Sequence, residues 1–280
     1  MRCGTVRARA RTQSSIAVAG ADDLAWALVN ASPDILEQLK EQAFLQPGRS
    51  TRDSALKAVV LVDGQIDHTT GLLMLREASR PWLVWCTDRA YADLTTGHPV
   101  LRVLGHYCGV DRRRMNLEGS EFVVDGIDDV RWRALPVASK PAPYSPNRSS
   151  HAPGDNVALA ITDATTGRSA LYAPGLGAMD AAVWNAMQTA ACVLVDGTCW
   201  TDDELISLGV SKKRARDMGH LPQSGAGGML EWLARLPATT RKVLIHINNT
   251  NPILDEDSRE RAELTQRGIE VAFDGMEIAL

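Results

Sequence analysis

The chain lacks the features that would place it in a membrane, on nucleic acid or outside the cell. No uncharged apolar run among its 280 residues approaches the length of a bilayer span. The opening stretch "MRCGTVRARARTQSSIAV" has no continuous apolar core of the kind a secretory signal needs. Positive charge is not in excess: 30 Lys and Arg stand against 34 Asp and Glu, so no general basic face for nucleic acid is expected. The five cysteines (Cys3, Cys86, Cys108, Cys192 and Cys199) are odd in number and never in C-x-x-C spacing. This excludes a zinc knuckle or redox dithiol and reads as buried or half-buried thiols in a reducing cytosol. There is no G-x-S-x-G, P-loop or dinucleotide fingerprint either, which removes the sequence support for a serine hydrolase, an NTPase or a Rossmann enzyme. The expectation is a cytoplasmic protein with neither a membrane nor a nucleic-acid partner.

Short apolar runs are what the chain has in quantity: "SSIAVAG", "LAWALVNAS", "KAVVLVD", "WLVWCTD", "NVALAITD", "SALYAPG", "CVLVDGT" and "KVLIHIN". Their length and β-branched content fit buried strands. Helical patterns intervene at "SPDILEQLKEQAF", "TTGLLMLREAS", "MDAAVWNAMQTA", "GAGGMLEWLARLP" and "DSRERAELTQRG". Ser32-Pro33 predicts a capped start for the first, and Asp257 or Ser258 with Gly268 bounds the last. Arg2, Arg7, Arg9 and Arg11 alternate with small or apolar residues, and this period of two running into "SSIAVAG" predicts a half-solvated strand. An Arg-rich transit peptide is the alternative. Closely spaced early strands followed by strand–helix alternation indicate α/β layers around mixed sheets in a single domain over residues 1–280. "PVASKPAPYSPNRSSHAPGDN", with five prolines, is too long for an ordinary connection and reads as a functional loop.

Chemistry concentrates at strand ends. "AVVLVDGQIDH" carries an apolar strand directly into Asp63, Gln65, Asp67 and His68, and Thr69-Thr70 offers a hydroxyl cap to the next helix. "KVLIHINNTNP" repeats the pattern with His246 and a run of asparagines. Asp67, His68 and His246 make two imidazoles and one carboxylate, the donor set that non-haem Fe(II) favours. A protonated His68 paired with Asp67 is the metal-free alternative. Asp196 and His220 each sit at a segment end, and spacing leaves two readings open: a carboxylate–imidazole pair for acid–base work, or Asp196 as the cap of an Asp-Gly turn. His151 lies in the proline-rich loop as a further ligand or pocket residue, and His98 and His106 read as surface residues.

The strings "ARTQSSIAV", "NASPDI", "QIDHTTGLLMLRE", "DLTTGHP", "PYSP", "HAPGDN", "LYAPGLG", "VDGTCW", "MGHLPQSG", "HINNTNPILDEDS" and "EVAFDGMEI" cover nearly the whole chain. Together they resemble the pyrroloquinoline quinone (PQQ) biosynthesis protein B family. The resemblance implies the metallo-β-lactamase fold, an αββα sandwich of two mixed β-sheets flanked by helices. The superfamily's H-x-H-x-D-H signature then falls on Asp63, Gln65, Asp67 and His68, so its two leading histidines are replaced. Leu176 stands where dinuclear hydrolases carry a bridging Asp. Asp67, His68 and His246 match the surviving half, and Asp196 with His220 resembles the carboxylate–histidine pair of tRNA-processing phosphodiesterases.

The implied function is synthesis of the quinone cofactor by an iron- and O2-dependent hydroxylation of the tyrosine ring in a cross-linked Glu-Tyr precursor. Zinc is expected as an alternative occupant. Arg148, Asn248 and Asn249 are expected to grip the precursor's carboxylates, and other proteins of the pathway are expected partners. A non-catalytic carrier of the quinone or its precursor to the periplasm, and a metal-dependent hydrolase with Asp63, Gln65 and His151 as extra ligands, are the alternatives. Family members usually begin with a first strand and a cysteine-rich zinc segment. Here Cys3 is that region's single trace, and a shortened N-terminus is expected.

Overall fold

The computed structural model describes residues 6–48, 50 and 53–280. They form two compact units: Thr12–Pro136 with Lys140–Arg168, and Met1–Arg11 with Val137–Ser139 and Ser169–Leu280.

In the first of these, β1 (Ile16–Ala19) runs antiparallel to β2 (Trp26–Val29). After α1 (Ile35–Glu41), the strand β3 (Leu56–Val60) lies parallel to β2. It is followed by α2 (Ile66–Thr69), β4 (Trp82–Cys86), α3 (Asp88–Thr95), α4 (Val100–Leu104) and β5 (Val110–Arg114). These strands form a five-stranded sheet in chain order. Its parallel pairs need crossovers, which the helices supply. Ala58, Val59, Val60 and Leu61 are all fully buried, which explains a run without polar alternation. Each such valine or leucine contributes roughly 1.5–3 kcal/mol of burial. Three antiparallel strands complete the unit: β6 (Glu121–Val124), β7 (Ile127–Pro136) and β8 (Val157–Asp163).

The second unit is a parallel run of β9 (Ser169–Ala173), β10 (Cys192–Asp196), β11 (Arg241–Ile245) and β12 (Ile269–Val271). Between them lie α5 (Ala181–Thr189), α6 (Glu204–Ser207), α7 (Ala215–Met218), α8 (Met229–Leu233) and α9 (Arg259–Gln266). Every residue of β10 is buried. Asp196 stands opposite Ile245 in the β10–β11 register, so Asp196 and His246 leave the sheet at one carboxyl edge, where parallel α/β sheets hold ligands.

Four expectations are corrected. Among the described residues the N-terminal strand begins only at Ile16. Arg7 instead pairs with Asp257 at 2.7 Å, Arg9 with Glu256 at 3.6 Å, and Arg11 donates to the Ala272 carbonyl; Arg2 and Cys3 lie outside the described residues. Helix α1 starts two residues late, with Asp34 at its N-cap, because the Ser32 carbonyl accepts from Ile35 in a preceding turn. Thr69 is no N-terminal hydroxyl cap; it is already helical, and its hydroxyl donates back to the Gln65 carbonyl at 2.7 Å. His98 is half-buried rather than a surface residue, its ring 5.6 Å from that of Tyr144. Burial pushes its pKa down.

The helix α9 follows the sequence closely. Ser258 accepts from Arg261 at its start, and Gly268 takes a φ of 64° beyond its end. Cys86, Cys192 and Cys199 are buried, Cys108 is half-buried, and all four are free thiols. No helix among the described residues is long and apolar enough to cross a membrane.

Candidate functional site

In the first unit the chain leaves β3 through Leu61 and Val62 and turns at once into α2. Asn30, at a φ of 59° that asparagine tolerates better than most residues, accepts from the Val62 amide at 3.2 Å. The His68 carbonyl accepts from Ala31 at 2.7 Å. The turn is therefore tied at both ends to the segment after β2. Asp63 is 4% exposed, and both of its oxygens lie 2.9 Å from His68 Nδ1. The carboxylate thus holds the proton on Nδ1 and makes Nε2 the basic nitrogen of His68, as in carboxylate-oriented metal histidines. Asp67 Oδ2 stands 3.7 Å from that Nε2. A cation with bonds of roughly 2.1 Å to each can span this separation. Asp63 acts on His68, and the Gln65 amide reaches the Lys140 carbonyl at 3.4 Å.

The proline-rich loop is anchored to this turn. Tyr144 donates to the Gly64 carbonyl at 2.5 Å, and Ser145 donates to the buried Asp93. A Cβ on Gly64 would meet Asp93 Cβ at 2.7 Å, so glycine is what lets the turn approach α3. Burial, followed by the nearby Asp63, Asp67 and Asp93 carboxylates, pushes the Tyr144 phenol well above its usual range, which keeps it a donor. Within the loop Arg148 donates to the Pro141 carbonyl, and His151 is exposed.

In the second unit Asp196 closes β10 with no exposed surface. It accepts from His220 Nδ1 at 2.7 Å, the Leu176 amide at 3.1 Å, the Thr198 amide at 3.0 Å and the Thr198 hydroxyl at 2.6 Å. Burial alone would raise its pKa, but the His220 and His246 imidazoles and these hydrogen bonds hold it below the usual carboxylate range. Since the Thr198 proton goes to Asp196, Thr198 Oγ1 accepts from His246 Nδ1 at 2.9 Å. Both histidines are therefore held through Nδ1, with stacked rings 5.2 Å apart. His246 takes a φ of 54°, a left-handed backbone that turns it out of the strand direction. Donor atoms of Asp196, His220 and His246 lie within 4.8 Å of one another. Asp196 accepts four hydrogen bonds, and these fix it against the imidazoles.

The sequence reading missed Thr198, whose signal was its place in "VDGT", two residues beyond a buried strand-end carboxylate. It also missed Asn251, buried and donating to the Gly197 carbonyl at 2.9 Å, which fixes the loop after His246. Asn248 is half-buried and Asn249 exposed. Leu176 brings its amide to Asp196 and buries its side chain completely, offering no donor where a bridging carboxylate was expected to be missing.

A family model described as a beta-lactamase superfamily domain matches residues 25–247, across both units. The chain is 62% identical to the coenzyme PQQ synthesis protein B of Azoarcus sp. strain BH72, over 100% of this chain and 91% of that protein. It is 53% identical to the protein of the same name from Methylobacillus flagellatus, over 100% and 92%. Zn(2+)-bound PqqB from Methylobacterium extorquens superposes with a TM-score of 0.87 at 32% identity, over 100% of this chain and 91% of that one. The chain therefore belongs to the coenzyme PQQ synthesis protein B family and has the metallo-β-lactamase fold of two mixed sheets flanked by helices.

Proposed function

We propose that the protein is a non-haem iron-dependent hydroxylase that oxidises the tyrosine ring of the cross-linked Glu-Tyr precursor of PQQ, with O2 as co-substrate. Asp67, His68 and His246 are its iron ligands in this reading. The observation that carries it is the engagement of Asp63 with His68 Nδ1 at 2.9 Å. A hydrolase with two metals needs ligands at the front of the signature, and there Asp63 serves as the orienting partner of a single ligand histidine. Two imidazoles and one carboxylate suit iron and leave positions open. Zinc, which the Methylobacterium extorquens relative holds, fits the same donors.

When bound, the metal supplies a place for O2 and the ring oxygen to meet and for electrons to pass between them. The protein's part is orientation and proton handling. Asp63 and Thr198 fix the tautomers of His68 and His246. His220 holds its Nδ1 proton against Asp196 and takes or returns a proton at Nε2 as the ring is oxidised. Arg148, Asn248 and Asn249 grip the precursor's carboxylates. One oxygen atom enters the ring, and the other leaves as water with two protons and two electrons from an added reductant. Other proteins of PQQ synthesis deliver the precursor to this site in the cytoplasm.

Metal counting tests the ligand assignment. The apoprotein reconstituted anaerobically with Fe(II) should hold one iron per chain, and Asp67→Ala and His246→Ala should each lose it while remaining folded. Two tightly held zinc ions per chain would favour the hydrolase. Full metal retention in both variants would remove the assignment.

A further inference from the structure

A cavity of about 550 Å³ lies in the Met1–Arg11/Ser169–Leu280 unit between the N-terminal strap, α9 and the segment after β12. Arg9, Arg11 and Arg261 line it together with Glu256, Phe273 and Met276. Like charges are gathered here against their own repulsion. Burial lowers the pKa of Arg11, and Arg261 and then Arg9 lower it further against Glu256 and Asp274. Burial and Arg9 likewise lower Arg261, against Glu256. The carboxylates do not balance the set. Glu256 is shared between Arg9 at 3.6 Å and Arg7 at 3.8 Å, and Asp274 acts on Arg11. Glu270 is taken by Arg241 in a two-point pair at 2.7 and 2.9 Å, so among the described residues Arg9, Arg11 and Arg261 face only Glu256 and Asp274.

The hydrogen bonds of Arg11 and Arg261 end on backbone carbonyls: Ala272 at 2.8 Å and Arg9 at 3.0 Å for Arg11, and Ile253 at 3.1 Å for Arg261. A guanidinium has five N–H donors, so each keeps donors for another acceptor. The Arg9 guanidinium sits 5.2 Å from the centroid of the Phe273 ring, and Phe273 is 39% exposed. Two half-buried cations on different elements, beside an aromatic wall, suit carboxylates carried on an apolar body.

We propose that this cavity is a binding site for a small planar dicarboxylate, its two carboxylates on Arg11 and Arg261 and its ring against Phe273. This goes beyond the hydroxylase reading and does not depend on it. Calorimetric titration of the full chain at low ionic strength tests it, with benzene-1,3-dicarboxylate as probe and inorganic phosphate in a parallel titration. The expected result is one saturable site for the dicarboxylate, weakened about tenfold or more in Arg11→Gln and in Arg261→Gln. Phe273→Ala should weaken it as well, and Arg267→Gln, a change at the exposed end of α9, should leave it unchanged. Far-UV circular dichroism checks that each variant is folded. If Arg11→Gln unfolds, the milder Arg11→Lys, which keeps the charge and loses the planar fork, should still bind more weakly than the native chain. Absence of saturable binding at millimolar dicarboxylate, tighter binding of phosphate, or binding indifferent to Arg261→Gln would each overturn the proposal.

Discussion

At the scale of single residues, three histidines are each held through Nδ1, two by carboxylates (Asp63 for His68 and Asp196 for His220) and one by a hydroxyl (Thr198 for His246). Thr198 joins the last two, since the same oxygen donates to Asp196. Thr198→Val keeps the shape and removes the hydroxyl's bonds to Asp196 and His246, while the Thr198 amide still donates to Asp196. It should lower metal affinity by about 10–100-fold, and Thr198→Ser should restore most of it; metal competition with a chelator measures both. The buried thiols make a separate test. Burial first, then Glu204, Asp196 and Asp202, pushes Cys199 up to about 12, and burial pushes Cys86 and Cys192 up to about 11. A raised thiol pKa favours the neutral folded form, so its stabilising effect is complete below the unfolded thiol's pKa and declines as pH rises above it. Alkylation at pH near 8 followed by peptide mapping should leave these three cysteines unmodified in the native protein and modified after denaturation. Rapid labelling of Cys199 in the folded chain would contradict its burial.

At the scale of elements, the site depends on turns that release side chains at strand ends. The short helix α7 ends at Gly219, whose φ of 93° turns the chain into His220. A side chain there is strained in the left-handed region, so Gly219→Ala should cost about 1–2 kcal/mol of stability and displace His220 from Asp196. Denaturant unfolding reads the first effect, and a shift in the pH dependence of activity reads the second. The apolar strands β3, β10 and β11 were legible in the sequence because burial on both faces leaves uninterrupted aliphatic runs. Strands β5 and β7 were not. "VDRRR" and "IDDVRWRALP" place charges on solvated positions, and β5 lies at the edge of its sheet, where charge guards against pairing with other chains. The start of α1 was misplaced because a turn bonded through the Ser32 carbonyl precedes it, and the sequence pattern of a cap is the same in both cases.

At the scale of the whole molecule, the family resemblance supplied what local pattern could not, namely the metallo-β-lactamase fold and the link to PQQ synthesis. The candidate ligands Asp67, His68 and His246 were readable from apolar runs that end abruptly in ionisable residues. The anchoring roles of Asp63 and Thr198 were not, since hydrogen bonds to Nδ1 join residues whose approach depends on turns and on tertiary packing. The relatives place the chain in the PQQ synthesis protein B family, and the one from Methylobacterium extorquens is Zn(2+)-bound; in the proposed reading the Asp63–His68 contact serves a single open-sided metal. The most direct test is oxygen uptake by the Fe(II)-loaded protein given the cross-linked Glu-Tyr precursor and a two-electron reductant, with the product weighed by mass spectrometry. The account predicts consumption of O2 and a precursor heavier by one oxygen atom derived from O2, both absent in His246→Ala. A precursor cleaved with incorporation of water, or returned unchanged by the iron-loaded protein, would contradict it.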